Sequence, residues 1–190
     1  MDYAKQRELM VSQQIETRGI KTEAVLRAMH TVPRHLFIAD TLLSDAYGDF
    51  PLPIGYQQTI SQPYIVALMT EQLQLQPHHK VLEVGTGCGY QTAVLAEIAD
   101  KIYTIEIVPE LAARAQDNFK RLNYHNIVSK QGDGLSDWQD EAPFDRIIVT
   151  AAPATLPVTL VKQLKMGGSM VIPIGTLQQN LYRITRKSEN

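Results

Sequence analysis

Val81-Leu82-Glu83-Val84-Gly85-Thr86-Gly87-Cys88-Gly89-Tyr90 decides the fold. An apolar, β-branched run ends in a glycine-dense turn, and residues 91–98 follow at once with helical character. Strand, turn and helix in that order form the setting of a nucleotide-binding glycine loop. Glycine lets the backbone turn sharply and approach a ligand where a Cβ would collide. A helix N-terminus beyond the turn adds unpaired N–H groups and a positive dipole end.

The glycine spacing narrows the ligand. A dinucleotide fingerprint has glycines at the first, third and sixth positions, with a pyrophosphate over the helix N-terminus. Here Gly85, Gly87 and Gly89 stand first, third and fifth, and Tyr90 holds the sixth place. No Lys followed by Ser or Thr is present in the loop, which excludes a P-loop. Glu83, just ahead of the first glycine, would repel a phosphate and suits a cationic ligand end. S-adenosylmethionine carries an ammonium and a sulfonium and no phosphate, and meets that requirement. A glycine-rich turn without a ligand is the plainer alternative.

The next strand favours the ligand. Ile102-Tyr103-Thr104-Ile105-Glu106 ends in an acid 21 residues after Gly85, close to the ~20 expected of an acid that takes both ribose hydroxyls. Asp133, flanked by Gly132 and Gly134, follows a further short strand over residues 126–130. Its carboxylate either accepts from an adenine amino group or serves only the turn.

Composition bounds the rest. The 190 residues make one domain with a full core. Hydrophobic content of 44%, charged content of 20% and net charge −2 describe an ordinary globular protein. With no Lys/Arg run, a partner held mainly by its phosphates is disfavoured, so no nucleic acid is expected. Cys88 alone cannot form an internal disulfide, which fits a reducing compartment. Residues 1–8 are polar and lack signal-peptide character, and no apolar run is long enough to span a bilayer. A cytoplasmic monomer is the expectation. The histidines, His30, His35, His78, His79 and His125, show no ligand spacing, and no metal site is expected.

Residues 1–45 read as a helical N-terminal layer: a helix over 2–18 with Leu9, Met10 and Ile15 on one side, then a second capped by Thr22. Residues 46–63 hold too many prolines and glycines for a regular element and too many apolar residues for an idle linker. A long irregular segment inside a compact domain is usually a lid or binding loop. Ser61 closes it before a helix over 62–75, and reads either as an N-cap or as a hydroxyl aimed into the cofactor cleft. Residues 64–190 form the cofactor-binding core. Strands over 144–150, 169–174 and 180–186, with a helix over 158–165, complete an α/β, doubly wound, mostly parallel sheet of Rossmann-like type. Its ligand belongs at the strand C-termini, where the glycine loop, Glu106, the Asp133 loop and residues 151–157 all fall.

Leu52-Pro53-Ile54-Gly55, Thr59-Ile60-Ser61-Gln62-Pro63, the glycine loop, Tyr103-Thr104-Ile105-Glu106, Gly132-Asp133-Gly134 and Ala142-Pro143-Phe144-Asp145 occur in one order. Together they resemble the bacterial protein-L-isoaspartate (D-aspartate) O-methyltransferase family, over about residues 5–186. The resemblance implies methyl transfer from S-adenosylmethionine to the α-carboxylate of L-isoaspartyl residues in damaged proteins, leaving S-adenosylhomocysteine. It puts the family's active-site serine on Ser61, its ribose acid on Glu106 and its adenine-loop acid on Asp133. The expected cofactor contacts are Glu83, Gly85, Thr86, Gly87, Glu106, Ile107, Asp133 and Gly134, and the expected peptide contacts Ile54, Thr59, Ile60 and Ser61. Family members continue past the 180–186 strand into a further strand with a Phe-Val-Pro-like segment that forms part of the substrate cleft. This sequence ends at Asn190, and the expectation is a domain without that strand. Two alternatives stand beside this reading: a methyltransferase with another acceptor, and a protein that binds the cofactor without turnover.

Overall fold

The computed structural model describes residues 2–135 and 138–188. Asp2 caps α1 (Tyr3–Leu9) by accepting the Lys5 N–H at 3.0 Å. The chain then runs through a π turn, Met10–Ile15, and a 3₁₀ turn, Glu16–Arg18, to Gly19 at φ 96°. The wider π turn carries Met10, Val11 and Ile15 into the core and leaves Leu9 exposed, so the expected buried face is corrected at Leu9. Thr22 sits at the N-cap of α2 (Glu23–Thr31) without a side-chain capping bond. The Glu71 carboxylate instead takes the N–H groups of Lys21 and Thr22, at 3.2 and 3.3 Å.

Residues 46–63 are more regular than expected. They contain β1 (Leu52–Gly55) and β2 (Gln58–Ile60), an antiparallel hairpin. Tyr56 and Gln57 turn it with both φ values positive, 53° and 58°. That is the backbone of a two-residue I′ turn, which usually advertises itself as Asn-Gly. The following helix, α3, spans Pro63–Leu73 and has Gln62, not Ser61, at its N-cap. Ser61 therefore lies one residue outside the capping position, and the cap reading is corrected.

The core continues with β3 (Lys80–Val84), α4 (Tyr90–Ala96), β4 (Lys101–Glu106), α5 (Pro109–Arg121), β5 (Ile127–Gln131), β6 (Phe144–Val149), α6 (Val158–Lys162), β7 (Leu164–Ile174) and β8 (Asn180–Thr185). The strands order as β5-β4-β3-β6-β7-β8. All neighbours are parallel except β8, which runs antiparallel to β7. β7 starts earlier than expected, and Gly167-Gly168 lie inside it, where its register against β6 shifts. Gly167 takes φ 77° there, so the glycines serve an irregularity in the strand rather than a loop before it.

Central β3 is covered on both faces, which is why it reads as a continuous apolar run. Val81 packs with the helical layer and α4, while Leu82 packs on the opposite face with Tyr103, Phe144, Ile147 and Leu160. Strand order reverses between β3 and β6, and the crevice at their C-terminal ends is where such a sheet takes its ligand. Among the described residues no helix is long and apolar enough to cross a membrane.

Candidate active site

A cleft of about 560 Å³ opens at that reversal point, within the ~300–1,000 Å³ range of small-molecule sites. Its walls come from residues 84–88, 105–108, 133–135 and 149–153, all at the C-terminal edge of the sheet, and from residues 58–61 of the hairpin. Thr59, Ile60, Ser61, Gly85, Thr86, Gly87, Glu106, Ile107, Asp133 and Gly134 all line it. Glu83 and Ile54 do not.

The glycine loop is a shaped wall more than a row of donors. The N–H groups of Gly85 and Thr86 both bond Ile105 O, at 2.9 and 3.2 Å, and Gly89 N–H bonds Thr86 O at 2.9 Å. Gly87 N–H bonds Glu106 Oε2 at 2.7 Å. These four loop amides are thus engaged within the protein. What the glycines supply is close approach. Gly85 sits at φ 98°, and a Cβ there would collide with Thr150 Oγ1. That hydroxyl donates to the carbonyls of Val84, at 3.0 Å, and Gly85, tying the end of β3 to β6. A Cβ on Gly134 would strike Val84 Cγ1, so only glycine lets the Asp133 loop settle on the end of β3.

Glu106 is buried at the end of β4, and its carboxylate grips backbone on both sides. Oε2 accepts from Gly87 and Oε1 from Val108 N–H, at 2.9 Å. A carboxylate offers about four lone-pair sites, so acceptor capacity remains for two hydroxyls. Beside it, Ile107 and Leu135 are 67% and 44% exposed, an unusual exposure for apolar side chains on a cleft wall. Asp133 Oδ1 accepts the Leu135 N–H at 3.0 Å, so this acid shapes its own turn and also faces the cleft.

Glu83 requires a correction. Strand alternation puts it on the same face as Val81, under α4, fully buried. Its Oε2 accepts from the hydroxyls of Thr92 and, at 2.8 Å, Thr104, and Thr104 Oγ1 lies 2.6 Å from Thr86 Oγ1. Burial pushes its pKa up to about 8 against the opposing pull of these hydroxyls. Glu83 braces the loop from below rather than meeting a ligand. Ile54 is likewise buried, and its Cδ1 lies 3.3 Å from where a Cβ on Gly87 would stand. It backs the glycine loop from the hairpin side.

Ser61 is half-buried on the cleft wall, and its hydroxyl makes no hydrogen bond to any described residue. The charged side chains lining the cleft are Glu106 and Asp133. Sequence reasoning missed Thr150, Gln91 and Leu135 as lining residues. Thr150 left a usable signal, a hydroxyl ending an apolar strand beside the glycine loop. Gln91 left none, because its place depends on a bond from Nε2 to Thr70 Oγ1, at 2.9 Å, across two helices.

An adenosyl ligand fits these surfaces. Glu106 keeps acceptors for a ribose, exposed apolar side chains offer faces to a base, and glycines at positions 85 and 134 keep the floor open.

Comparison with known proteins agrees. The chain matches the family described as Protein-L-isoaspartate(D-aspartate) O-methyltransferase over residues 5–190. It is 57% identical over 182 residues to a protein-L-isoaspartate O-methyltransferase of Picosynechococcus sp., covering 96% of this chain and 82% of that one. A solved protein-L-isoaspartate O-methyltransferase superposes with a TM-score of 0.87 at 28% identity, covering 96% of this chain and 60% of the other. A second crystal structure, from Plasmodium falciparum, is described as "a putative protein-L-isoaspartate O-methyltransferase" in complex with S-adenosyl-L-homocysteine. It superposes with a TM-score of 0.82 at 26% identity, over 100% of this chain and 92% of that one. The chain belongs to the protein-L-isoaspartate (D-aspartate) O-methyltransferase family.

Proposed function

We infer that this protein repairs damaged proteins by methylating the α-carboxylate of L-isoaspartyl residues with S-adenosylmethionine. The observation that carries the reading is that Ser61, the position of the family's active-site serine, opens onto the cleft that Glu106 and Asp133 line, with its hydroxyl not engaged by the helix it precedes.

S-adenosylmethionine, when bound, supplies an electrophilic methyl on a sulfonium. Glu106 would hold the ribose, Ile107 and Leu135 the adenine faces, Asp133 the adenine edge, and residues 85–87 the methionine end. The acceptor needs no general base, because a carboxyl with a pKa of ~4 is already ionised at neutral pH. The residues of this chain therefore have three tasks: to orient the carboxylate, to bring it close, and to strip part of its water. Ser61 donates one hydrogen bond to one carboxylate oxygen and leaves the other to attack. The other oxygen would take the methyl that the sulfonium supplies, and no residue of this chain would need to move a proton. The ester then cyclises to a succinimide without help, because methoxide leaves more readily than a carboxylate oxygen. Hydrolysis returns part of it as normal aspartate.

The hairpin β1–β2 with Ser61 acts as the lid of a single domain, with residues 1–45 as its supporting layer. We place the protein in the cytoplasm as a monomer; its single cysteine, a buried free thiol, supports the reducing compartment. Transfer of labelled methyl, as a base-labile ester, to an isoaspartyl peptide and not to its aspartyl twin tests the activity. Equal labelling of both peptides would reject it.

A further inference from the structure

The hairpin that leads into Ser61 is held to the core through an irregularity in its own ladder. Leu52 pairs with Ile60, Pro53 with Thr59 and Gly55 with Gln58, so the register shifts at Ile54, which has no partner across. A residue left over in this way makes a β-bulge, a device that re-aims a side chain beside a site. Both groups of Ile54 are used. Its side chain is buried against Gly87 of the glycine loop, and its carbonyl accepts from Arg114 Nη1 at 3.0 Å. Other anchors lie before β1, where Arg34 Nε holds Ala46 O, Gln14 Nε2 holds Tyr47 O and Gln62 Nε2 holds Asp49 O, each at 2.9 Å. Arg114 alone of these reaches the strand that pairs with β2, directly ahead of Ser61.

Arg114 stands on α5, the helix that follows Glu106. Val108, at the N-cap of that helix, gives its N–H to Glu106 Oε1 at 2.9 Å, so the acid and the helix form one unit. The second arm of the guanidinium, Nη2, reaches Phe37 O at 2.9 Å. Phe37 closes the 3₁₀ turn Arg34–Phe37, and its ring meets Tyr90, the first residue of α4, edge-on with centroids 5.5 Å apart. A guanidinium presents its donors in a fixed planar fork, and such charge-assisted bonds are stronger than neutral ones. Resting on the proposed function, we infer that Arg114 is a positioning residue for methyl transfer: it fixes the hairpin, and through it the Ser61 hydroxyl, to the helix that follows the ribose acid. Arg114 is not part of the cleft wall, so it acts through Ser61 and not on the reacting atoms. An Arg114 that only docked the N-terminal layer, through Phe37 O, would act alike whatever residue stood at position 61.

A double-mutant cycle separates these roles. Arg114→Met keeps an unbranched stem and removes the fork. It is expected to lower kcat on isoaspartyl peptide about 10-fold, since small misplacements of an orienting group are costly. Affinity for S-adenosylmethionine should stay within about 2-fold of wild type, because Glu106 keeps its own bonds to Gly87 and Val108. In a Ser61→Gly background the same change should lower kcat by less than about 2-fold, because no hydroxyl remains to be placed. Hydrogen exchange reads the place of the effect: amides of residues 52–60 should exchange faster in Arg114→Met, and those of β4 should not. Arg114→Lys keeps the charge and offers one nitrogen in place of two; it carries the same cycle if the Met variant does not fold. Losses that multiply in the double variant overturn the inference, as do a wild-type kcat in the single variant or unchanged exchange over residues 52–60. Methyl transfer by the wild type distinguishes the two failures. Transfer with any of these overturning results removes this inference and leaves the proposed function, whereas no transfer removes both.

Discussion

Ser61 is the residue on which the chemistry turns. Because Gln62 holds the N-cap of α3, Ser61→Ala and Ser61→Gly should both leave thermal stability nearly unchanged. Both should lower kcat/KM about 10–100-fold, the order of one or two hydrogen bonds to a charged group, with cofactor affinity near wild type. A Ser61→Gly variant that turns over at the wild-type rate removes the orienting role. Glu106→Ala should weaken S-adenosylmethionine by roughly 1–3 kcal/mol in calorimetry, and it also takes the acceptor from Gly87 and Val108 N–H. Glu106→Gln should not restore binding, since its amide would turn N–H groups toward one of those backbone donors; wild-type affinity in that variant would contradict the assignment. Glu83 gives a pH signature. Its folded pKa, about 8, is raised above the ordinary 4.5, so its contribution is fully present below about 4.5 and is lost as pH rises through about 8. Glu83→Gln, which keeps a neutral hydrogen-bonding group, should therefore gain on wild type between pH 5 and pH 8.5 by an amount on the order of a few kcal/mol. Urea unfolding at the two pH values reads the difference, and a constant gap would show that Glu83 is not buried as a neutral acid.

Among the elements, the hairpin is the least legible in sequence. Tyr56 and Gln57 hold positive φ without being glycine or asparagine, so nothing in Gly-Tyr-Gln-Gln announces a turn. Replacing the pair by Asn-Gly should stabilise the protein by about 1 kcal/mol, since both residues then suit an I′ turn. A lower melting temperature would mean that Tyr56 and Gln57 contribute contacts beyond the turn. The π turn after α1 is silent for a similar reason: it shifts Leu9 out through backbone geometry that helical periodicity does not encode. β3, by contrast, was legible because a strand covered on both faces must be apolar throughout, and the glycines after it had one physical use. Glu83 misled, because a carboxylate just ahead of the first glycine looked like a partner for a cationic ligand end and is a buried brace.

For the whole molecule, the parallel sheet and its reversal point follow from alternating strand and helix patterns, and the cleft lies where that topology requires. The sheet explains why Glu106, Asp133 and the glycine loop, far apart in sequence, share one edge. It does not explain how the hairpin folds over that edge, because contacts such as Arg114 to Ile54 O depend on tertiary placement. The cleft's charge also appears only at this scale, since an ordinary net charge of −2 says nothing of a site whose charged lining residues, Glu106 and Asp133, are both acids. One measurement bears most directly on the account: a mass-spectrometric time course of an isoaspartyl peptide with this protein and S-adenosylmethionine. The account predicts a transient gain of one methyl, then a succinimide, then aspartyl peptide separable by chromatography, with the aspartyl twin unchanged. A methylated species that forms equally on the twin, or none on the isoaspartyl peptide, would contradict it.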